Sequence, residues 1–83
     1  MNEDKRKEER VELGKPGSLS TLLGQHIVNC VVKDISANGA RLLVPVVEVL
    51  PDYFRLNFGD TGVQPKCSVR WRKGNEVGVR FLR

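Results

Sequence analysis

The sequence predicts an all-β fold, a small six-stranded antiparallel β-barrel preceded by a flexible, charged N-terminal arm. Short apolar runs alternate with polar positions and are separated by turn-forming residues about every eight to twelve residues, a spacing typical of small barrels. No segment carries the apolar stripe of a strong amphipathic helix. The 83 residues suffice for one domain, which we divide into an arm (1–13) and a barrel (14–83).

The arm is rich in charged side chains and has almost no apolar residues to pack against a core. It is followed by Gly14-Lys15-Pro16-Gly17, whose Pro and Gly residues would end any helical turn in the arm. Apolar and β-branched runs then predict six strands, at residues 18–23, 26–33, 40–44, 53–58, 63–72 and 76–82. Residues 46–50 lie between Pro45 and Pro51, so we expect a crossing segment or one helical turn there.

Two of the predicted strands alternate clearly between apolar and polar residues. In the fourth strand Phe54, Leu56 and Phe58 share one face, and in the fifth strand Cys67, Val69 and Trp71 do so. Side chains two positions apart project from the same side of a strand. Alternation of this kind indicates a sheet that is covered on one side only.

The composition excludes several classes of protein. No run approaches the ~18–20 apolar residues of a membrane span, and residues 1–10 lack the apolar centre of a signal peptide, so we expect a cytoplasmic protein without membrane insertion. Cys30 and Cys67 stand alone in apolar runs, which favours reduced core cysteines and no metal or cofactor. His26 has no recognisable catalytic partner, and no acidic pair lies beside a base, so we expect a binding module rather than an enzyme.

The net charge of +4 is unevenly distributed along the chain. Basic and acidic side chains balance in residues 1–10, whereas residues 66–83 carry six basic side chains against the single acid Glu76. A positive C-terminal region favours anionic partners such as a nucleotide or a nucleic acid.

Two arginines in the arm, Arg6 and Arg10, form the first candidate element of a site. They are four residues apart, so on a helical turn they share one face and could hold one anion together. Guanidinium groups match phosphate oxygens and also the O6/N7 edge of guanine. The alternative is a solvated run of charges that pair locally within the arm.

The polar stretch Asp34-Ile35-Ser36-Ala37-Asn38-Gly39 is the second candidate element, and it separates two apolar runs. Its composition is that of a turn. The Asp34 carboxylate could accept hydrogen bonds from a guanine, while the Ser36 hydroxyl could bind a phosphate. Gly39 would allow a tight bend or a close approach of the ligand. The alternative is an ordinary turn between strands.

Together, Arg6-Lys7-Glu8-Glu9-Arg10 and Asp34-Ile35-Ser36-Ala37-Asn38-Gly39 resemble the paired RxxxR and D/NxSxxG motifs of the PilZ domain family, bacterial receptors for cyclic di-GMP. Ala40-Arg41-Leu42, Val69-Arg70-Trp71-Arg72 and Val77-Gly78-Val79-Arg80-Phe81 are also similar to strands of that family. The resemblance covers nearly the whole chain. It implies a six-stranded barrel whose N-terminal arm wraps over a ligand on the barrel surface.

The resemblance also implies roles for individual residues. Arg6 and Arg10 would hold guanine edges and phosphates, Asp34 and Ser36 would contact guanine and neighbouring groups, and Gly39 would shape the turn. Four further cations could contribute to the site or its stoichiometry, namely Lys5, Lys7, Arg41 and Arg72. The expected ligand is cyclic di-GMP, and ordering of the arm would be sensed by a downstream protein partner.

One departure from the family concerns the C-terminal end. Family members often carry a helix after the last strand, whereas this sequence ends directly after Phe81-Leu82-Arg83. We therefore expect that a partner protein or a second copy, in a homodimer, could cover the apolar surface of that barrel end. Two alternative functions remain: a protein-interaction adaptor without ligand binding, and a basic barrel that binds nucleic acid, although we expect no DNA or RNA.

Overall fold

Six antiparallel strands close into a barrel in the computed structural model, which describes residues 9–59, 62 and 64–82. The all-β barrel predicted from the sequence is confirmed. The strands are β1 (Val11–Ser20), β2 (His26–Ile35), β3 (Gly39–Leu43), β4 (Tyr53–Phe58), β5 (Lys66–Lys73) and β6 (Glu76–Phe81).

The order of the strands around the barrel is β1-β2-β3-β6-β5-β4, and the pairing of β4 with β1 closes the ring. This order places the connection between β2 and β3 beside the end of β6, where Gly39 is opposite Arg80. It also places β5 next to β6, so that Val69 lies opposite Val79. Residues distant in sequence therefore meet on the outer surface of β3, β6 and β5.

The core is formed by inward-facing side chains from all six strands and from the connection after β3. Phe54, Leu56 and Cys67 are fully buried, as the alternation predicts. Burial raises the pKa of the Cys30 thiol to about 11 and that of Cys67 to about 12. Both thiols are therefore protonated and unreactive at neutral pH. The other fully buried large side chains are Leu19, Leu42, Val32, Val44 and Val77.

The first strand begins earlier than predicted. It starts at Val11, so Val11 and Glu12, which the sequence assigned to the arm, pair with β2. The register shifts between Glu12 and Lys15, where Gly14 has a φ of 60°, and this irregularity carries the strand through the Gly/Pro segment. Pro16 is tolerated because pairing with β4 begins only at Gly17. Residues 1–8 of the arm lie outside the described residues.

The segment between the two prolines forms a single 3₁₀ turn, Val47–Val49, in agreement with the prediction of a crossing segment or helical turn. Within the described ranges, no helix is long and apolar enough to cross a membrane.

A bulge in β5 interrupts the alternation predicted for that strand. Val69 pairs with Val79 and Trp71 pairs with Gly78, so Arg70 is an extra residue that shifts the alternation of the strand. The alternation placed Trp71 on the same face as Cys67, but the side chain of Trp71 is 42% exposed on the outside of the barrel, whereas Cys67 is fully buried.

Candidate ligand-binding site

The carboxylate of Asp34 is held between two arginines. Arg10 Nη1 donates a hydrogen bond to Oδ1 at 2.8 Å, and Arg41 donates to Oδ2 from Nε at 2.9 Å and from Nη2 at 2.6 Å. Asp34 is only 2% exposed. The geometry follows from the fold, because Arg41 lies opposite Asp34 across β2 and β3, while Arg10 immediately precedes β1. Both carboxylate oxygens are thus occupied by guanidinium groups.

The two arginines remain partly accessible while they hold Asp34. The side chain of Arg10 is 49% exposed and that of Arg41 is 41% exposed. The hydrogen bonds and the negative charge of Asp34 raise the pKa of Arg41 above its ordinary value. The cluster carries two positive charges and one negative charge, so its outer side is positive and suited to an anion.

The turn after Asp34 is closed by its own hydrogen bonds. The Ser36 N–H donates to the Gly39 carbonyl at 2.8 Å, and the Asn38 N–H donates to the Ser36 hydroxyl oxygen at 3.3 Å. The Phe81 N–H donates to the Asn38 carbonyl at 2.7 Å, which connects the turn to the end of β6. Ser36 therefore organises the turn, as expected of a serine at this position.

Gly39 has a structural reason to be glycine that the sequence did not indicate. A β-carbon at this position would collide with the carbonyl oxygen of Val79 on β6. Its backbone does not have the positive φ that favours glycine in tight turns. The close approach of β3 to β6 thus requires glycine at this position.

The other half of the site comes from β5 and β6. The bulge places Arg70 and Trp71 together on the outer surface, and Arg80 projects from β6 beside them. The indole of Trp71 covers Gly78, where a β-carbon would collide with the ring. Glycine at 78 thus provides the space in which the indole lies against the sheet.

The two halves surround one shallow depression with a volume of about 420 Å³. Guanidinium groups bind phosphates, and an exposed indole offers a surface for stacking a base. No carboxylate is present among the described residues that line it. These residues are Arg10, Asn38, Gly39, Ala40, Arg41, Arg70, Trp71, Gly78, Val79 and Arg80.

The structure unites most of the residues that the sequence singled out. Arg10 and Arg41 line the depression together with Gly39, while Asp34 and Ser36 support it from below. Lys5, Arg6 and Lys7 lie outside the described residues.

Arg72 does not join the site. Its Nη2 donates to the Leu50 carbonyl at 3.1 Å and lies 3.4 Å from Asp52 Oδ1, and its side chain does not line the depression. Arg72 follows Trp71 on β5 and is thus directed elsewhere.

Arg70, Trp71 and Arg80 were not predicted as site residues. Strict alternation placed Trp71 on the same face as Cys67, because a β-bulge leaves no clear signal in a single sequence. The pair of Trp71 and Gly78 is the signal that could have indicated an exposed indole, since an aromatic ring often covers a glycine on a neighbouring strand.

A closed barrel with four arginines and an indole around an outer depression has the groups that suit an anion carrying an aromatic ring. The family model of the PilZ domain matches residues 4–83, and the chain belongs to the PilZ domain family. The PilZ domain is a receptor family for cyclic di-GMP, and its domains are generally non-catalytic. A search of the curated proteins found no match.

Proposed function

We propose that this protein is a non-catalytic receptor that binds cyclic di-GMP in the arginine-lined depression. The observation that carries the proposal is the contact between Arg10 and Asp34, which are 24 residues apart. This contact brings the end of the RxxxR motif onto the DxSxxG turn. Arg10 and the turn thereby form one side of a depression whose other side supplies two more arginines and an indole.

The chemistry of cyclic di-GMP matches the groups that line the depression. Its two phosphates suit the guanidinium groups of Arg10, Arg41, Arg70 and Arg80, and the O6/N7 edge of guanine suits a guanidinium in a two-pronged contact. Its guanine bases offer flat faces for stacking on Trp71. The ligand is thus recognised by charge and by aromatic contact at the same surface.

Asp34 acts in this proposal chiefly by positioning Arg10 and Arg41. Both of its oxygens accept hydrogen bonds from these arginines. A direct bond from Asp34 to a guanine would require one guanidinium to release an oxygen. The carboxylate therefore orients the cations that meet the ligand.

The arm supplies the signalling step. Arg10 already contacts Asp34 on the barrel, and the ligand would bring Arg6, which precedes it by four residues, onto the same surface. Ordering a segment costs free energy that the ligand contacts must exceed. A downstream protein partner would then recognise the arm in its bound arrangement.

Calorimetric titration of the purified chain tests the proposal. We expect saturable binding of cyclic di-GMP, weaker binding of GTP and cyclic GMP, and loss of affinity in Arg10→Ala. Arg72→Ala is the matched control, because Arg72 is bound to the loop at Leu50 and should leave the affinity unchanged. Absence of saturable binding by the unmutated chain would refute the proposal, and salt-sensitive binding of an oligonucleotide in its place would indicate a nucleic-acid function.

A further inference from the structure

The turn between β1 and β2 exposes the apolar side chains of two leucines to solvent. Leu23 is 94% exposed and Leu22 is 44% exposed. They occupy the centre of a β-turn in which the Gly24 N–H donates to the Thr21 carbonyl at 2.9 Å. Turn centres are usually Asn, Asp, Gly, Pro or Ser.

The turn is closed without any contribution from the leucine side chains. The Thr21 N–H donates to the Gln25 carbonyl at 2.7 Å, and the Gln25 N–H donates to Thr21 Oγ1 at 3.0 Å. Gly24 adopts the positive φ of 98° that the bend requires. The two leucines therefore project from a hydrogen-bonded support, and this turn (residues 21–25) is called the leucine turn below.

A row of basic residues runs beside the leucine turn. Ser20 pairs with His26 on one side and with Arg55 on the other, and Arg55 pairs with Lys66. Residues directly opposite each other on neighbouring strands project from the same face. This face is the outside of the barrel, because the adjacent Leu19, Phe54, Leu56 and Cys67 are buried.

The basic row adjoins the leucine turn directly. Arg55 Nε donates to the Leu22 carbonyl at 3.3 Å, which places its guanidinium at the base of the turn. In the part of the chain that the structure describes, neither Arg55 nor Lys66 forms an ion pair.

We propose that the leucine turn and its basic row form a peripheral docking surface for a membrane that contains anionic lipids. The turn would place Leu22 and Leu23 among the acyl chains just below the headgroups, while Arg55 and Lys66 would meet the anionic headgroups. A protruding turn needs no complementary pocket in a fluid bilayer, whereas a protein partner must supply one. This surface contains none of the residues of the arginine-lined depression, so the inference is independent of the proposed function.

Co-sedimentation of the full chain with lipid vesicles tests the inference. We expect binding to vesicles of phosphatidylcholine with phosphatidylserine, and much weaker binding to phosphatidylcholine alone. Leu23→Asp should lower the partition coefficient at least about tenfold, because it removes the apolar insertion and adds a negative charge. Lys66→Glu should lower it as well, and added salt should weaken binding of the unmutated chain.

Val49→Asp is the matched control, because Val49 is an apolar side chain that is 53% exposed in the 3₁₀ turn. It should bind the vesicles like the unmutated chain, and circular dichroism checks that each variant is folded. Absence of preference for the anionic vesicles would overturn the inference. Loss of binding in Arg80→Glu with unchanged binding in Leu23→Asp would also overturn it, since the vesicles would then bind at the arginine-lined depression.

Discussion

The two sides of the depression differ in how their charges are balanced. On the side of β2 and β3, Arg10 and Arg41 are bound to the buried carboxylate of Asp34. On the side of β5 and β6, Arg70 and Arg80 have no carboxylate partner among the described residues, and they lie beside an exposed indole. We refer to these as the carboxylate side and the bulge side.

Because of this difference, the positioning of the guanidinium groups can be tested separately from the strength of their contacts with a ligand. Guanidinium groups on the carboxylate side are held in place before a ligand arrives, so little order has to be imposed on them. Arg70 and Arg80 on the bulge side have no carboxylate among the described residues to hold them, so a bound ligand would have to order them. Four predictions follow, from the largest expected effect to the smallest, and the first three test this comparison.

Gly39→Ala should have the largest effect, because Gly39 is where the two sides meet. A β-carbon there collides with the Val79 backbone, which cannot move without displacing β6. We expect a loss of at least about 2 kcal/mol in the free energy of unfolding and a fall in Tm of about 10 °C or more, measured by thermal unfolding. Gly74→Ala is the control: it has a φ of 59° but no atom near its β-carbon, so it should cost only about 1 kcal/mol. Equal costs for the two variants would show that the close approach is unimportant.

Asp34→Ala should weaken cyclic di-GMP binding by about tenfold or more, in line with ~1.5–3 kcal/mol for hydrogen bonds to charged groups. The reason is that a single substitution releases both Arg10 and Arg41. Calorimetry measures the effect, with Asp52→Ala as a control whose exposed carboxylate lies outside the depression. Unchanged affinity in Asp34→Ala would mean that the positions of these arginines do not matter for the ligand.

Arg70→Ala and Arg80→Ala should each weaken binding by about three- to fivefold, since an exposed ion pair contributes up to ~1 kcal/mol. The effect is smaller than that of Asp34→Ala because each variant removes one guanidinium that is not preorganised. Titrations of the same ligand measure it, with Arg72→Ala as the control on the same strand. If neither variant differs from Arg72→Ala, the bulge side does not participate.

Glu76→Gln should have the smallest effect and should act on stability alone. Lys33 Nζ lies 2.7 Å from Glu76 Oε2, and this hydrogen bond lowers the pKa of Glu76 in the folded protein. Because folding lowers the pKa of Glu76, its carboxylate stabilises the folded protein at pH values above the ordinary glutamate pKa. This stabilisation is lost as the pH falls through the lowered pKa. The variant should therefore have a slightly lower Tm than the unmutated chain at neutral pH, and the two should converge in acid. Glu48→Gln is the control, and a difference that persists in acid would contradict the assignment to this pair.

The fold was predictable because strand alternation and turn residues are local signals. Phe54 and Leu56 face the core as expected, and Pro45 and Pro51 correctly indicated a break between strands. The start of β1 was not predictable, because the Gly14 irregularity that carries the strand through Pro16 depends on pairing with β2. Tertiary pairing here overrides the local preference of the sequence.

The carboxylate side could be recognised from its motif, whereas the bulge side could not. The turn chemistry of Asp34–Gly39 lies in consecutive residues, but the collision that fixes Gly39 involves Val79 on a distant strand. Likewise, Arg70 and Trp71 reach the same surface only through a register shift against β6. Register is a property of two strands, so a single strand cannot reveal it.

The closed order of the strands also limits where another chain could add a strand to the barrel. Each of the six described strands is hydrogen-bonded to a neighbour on both sides, because β4 pairs with β1. Among the described residues, free backbone edges are therefore short, as at residues 11–16 of β1, which pair with β2 but lie beyond the pairing with β4. Strand addition, a common mode of peptide recognition, has little room on such a barrel. A partner of the kind proposed above would depend mainly on side chains at the barrel surface, so its specificity could evolve without any change to the barrel's backbone.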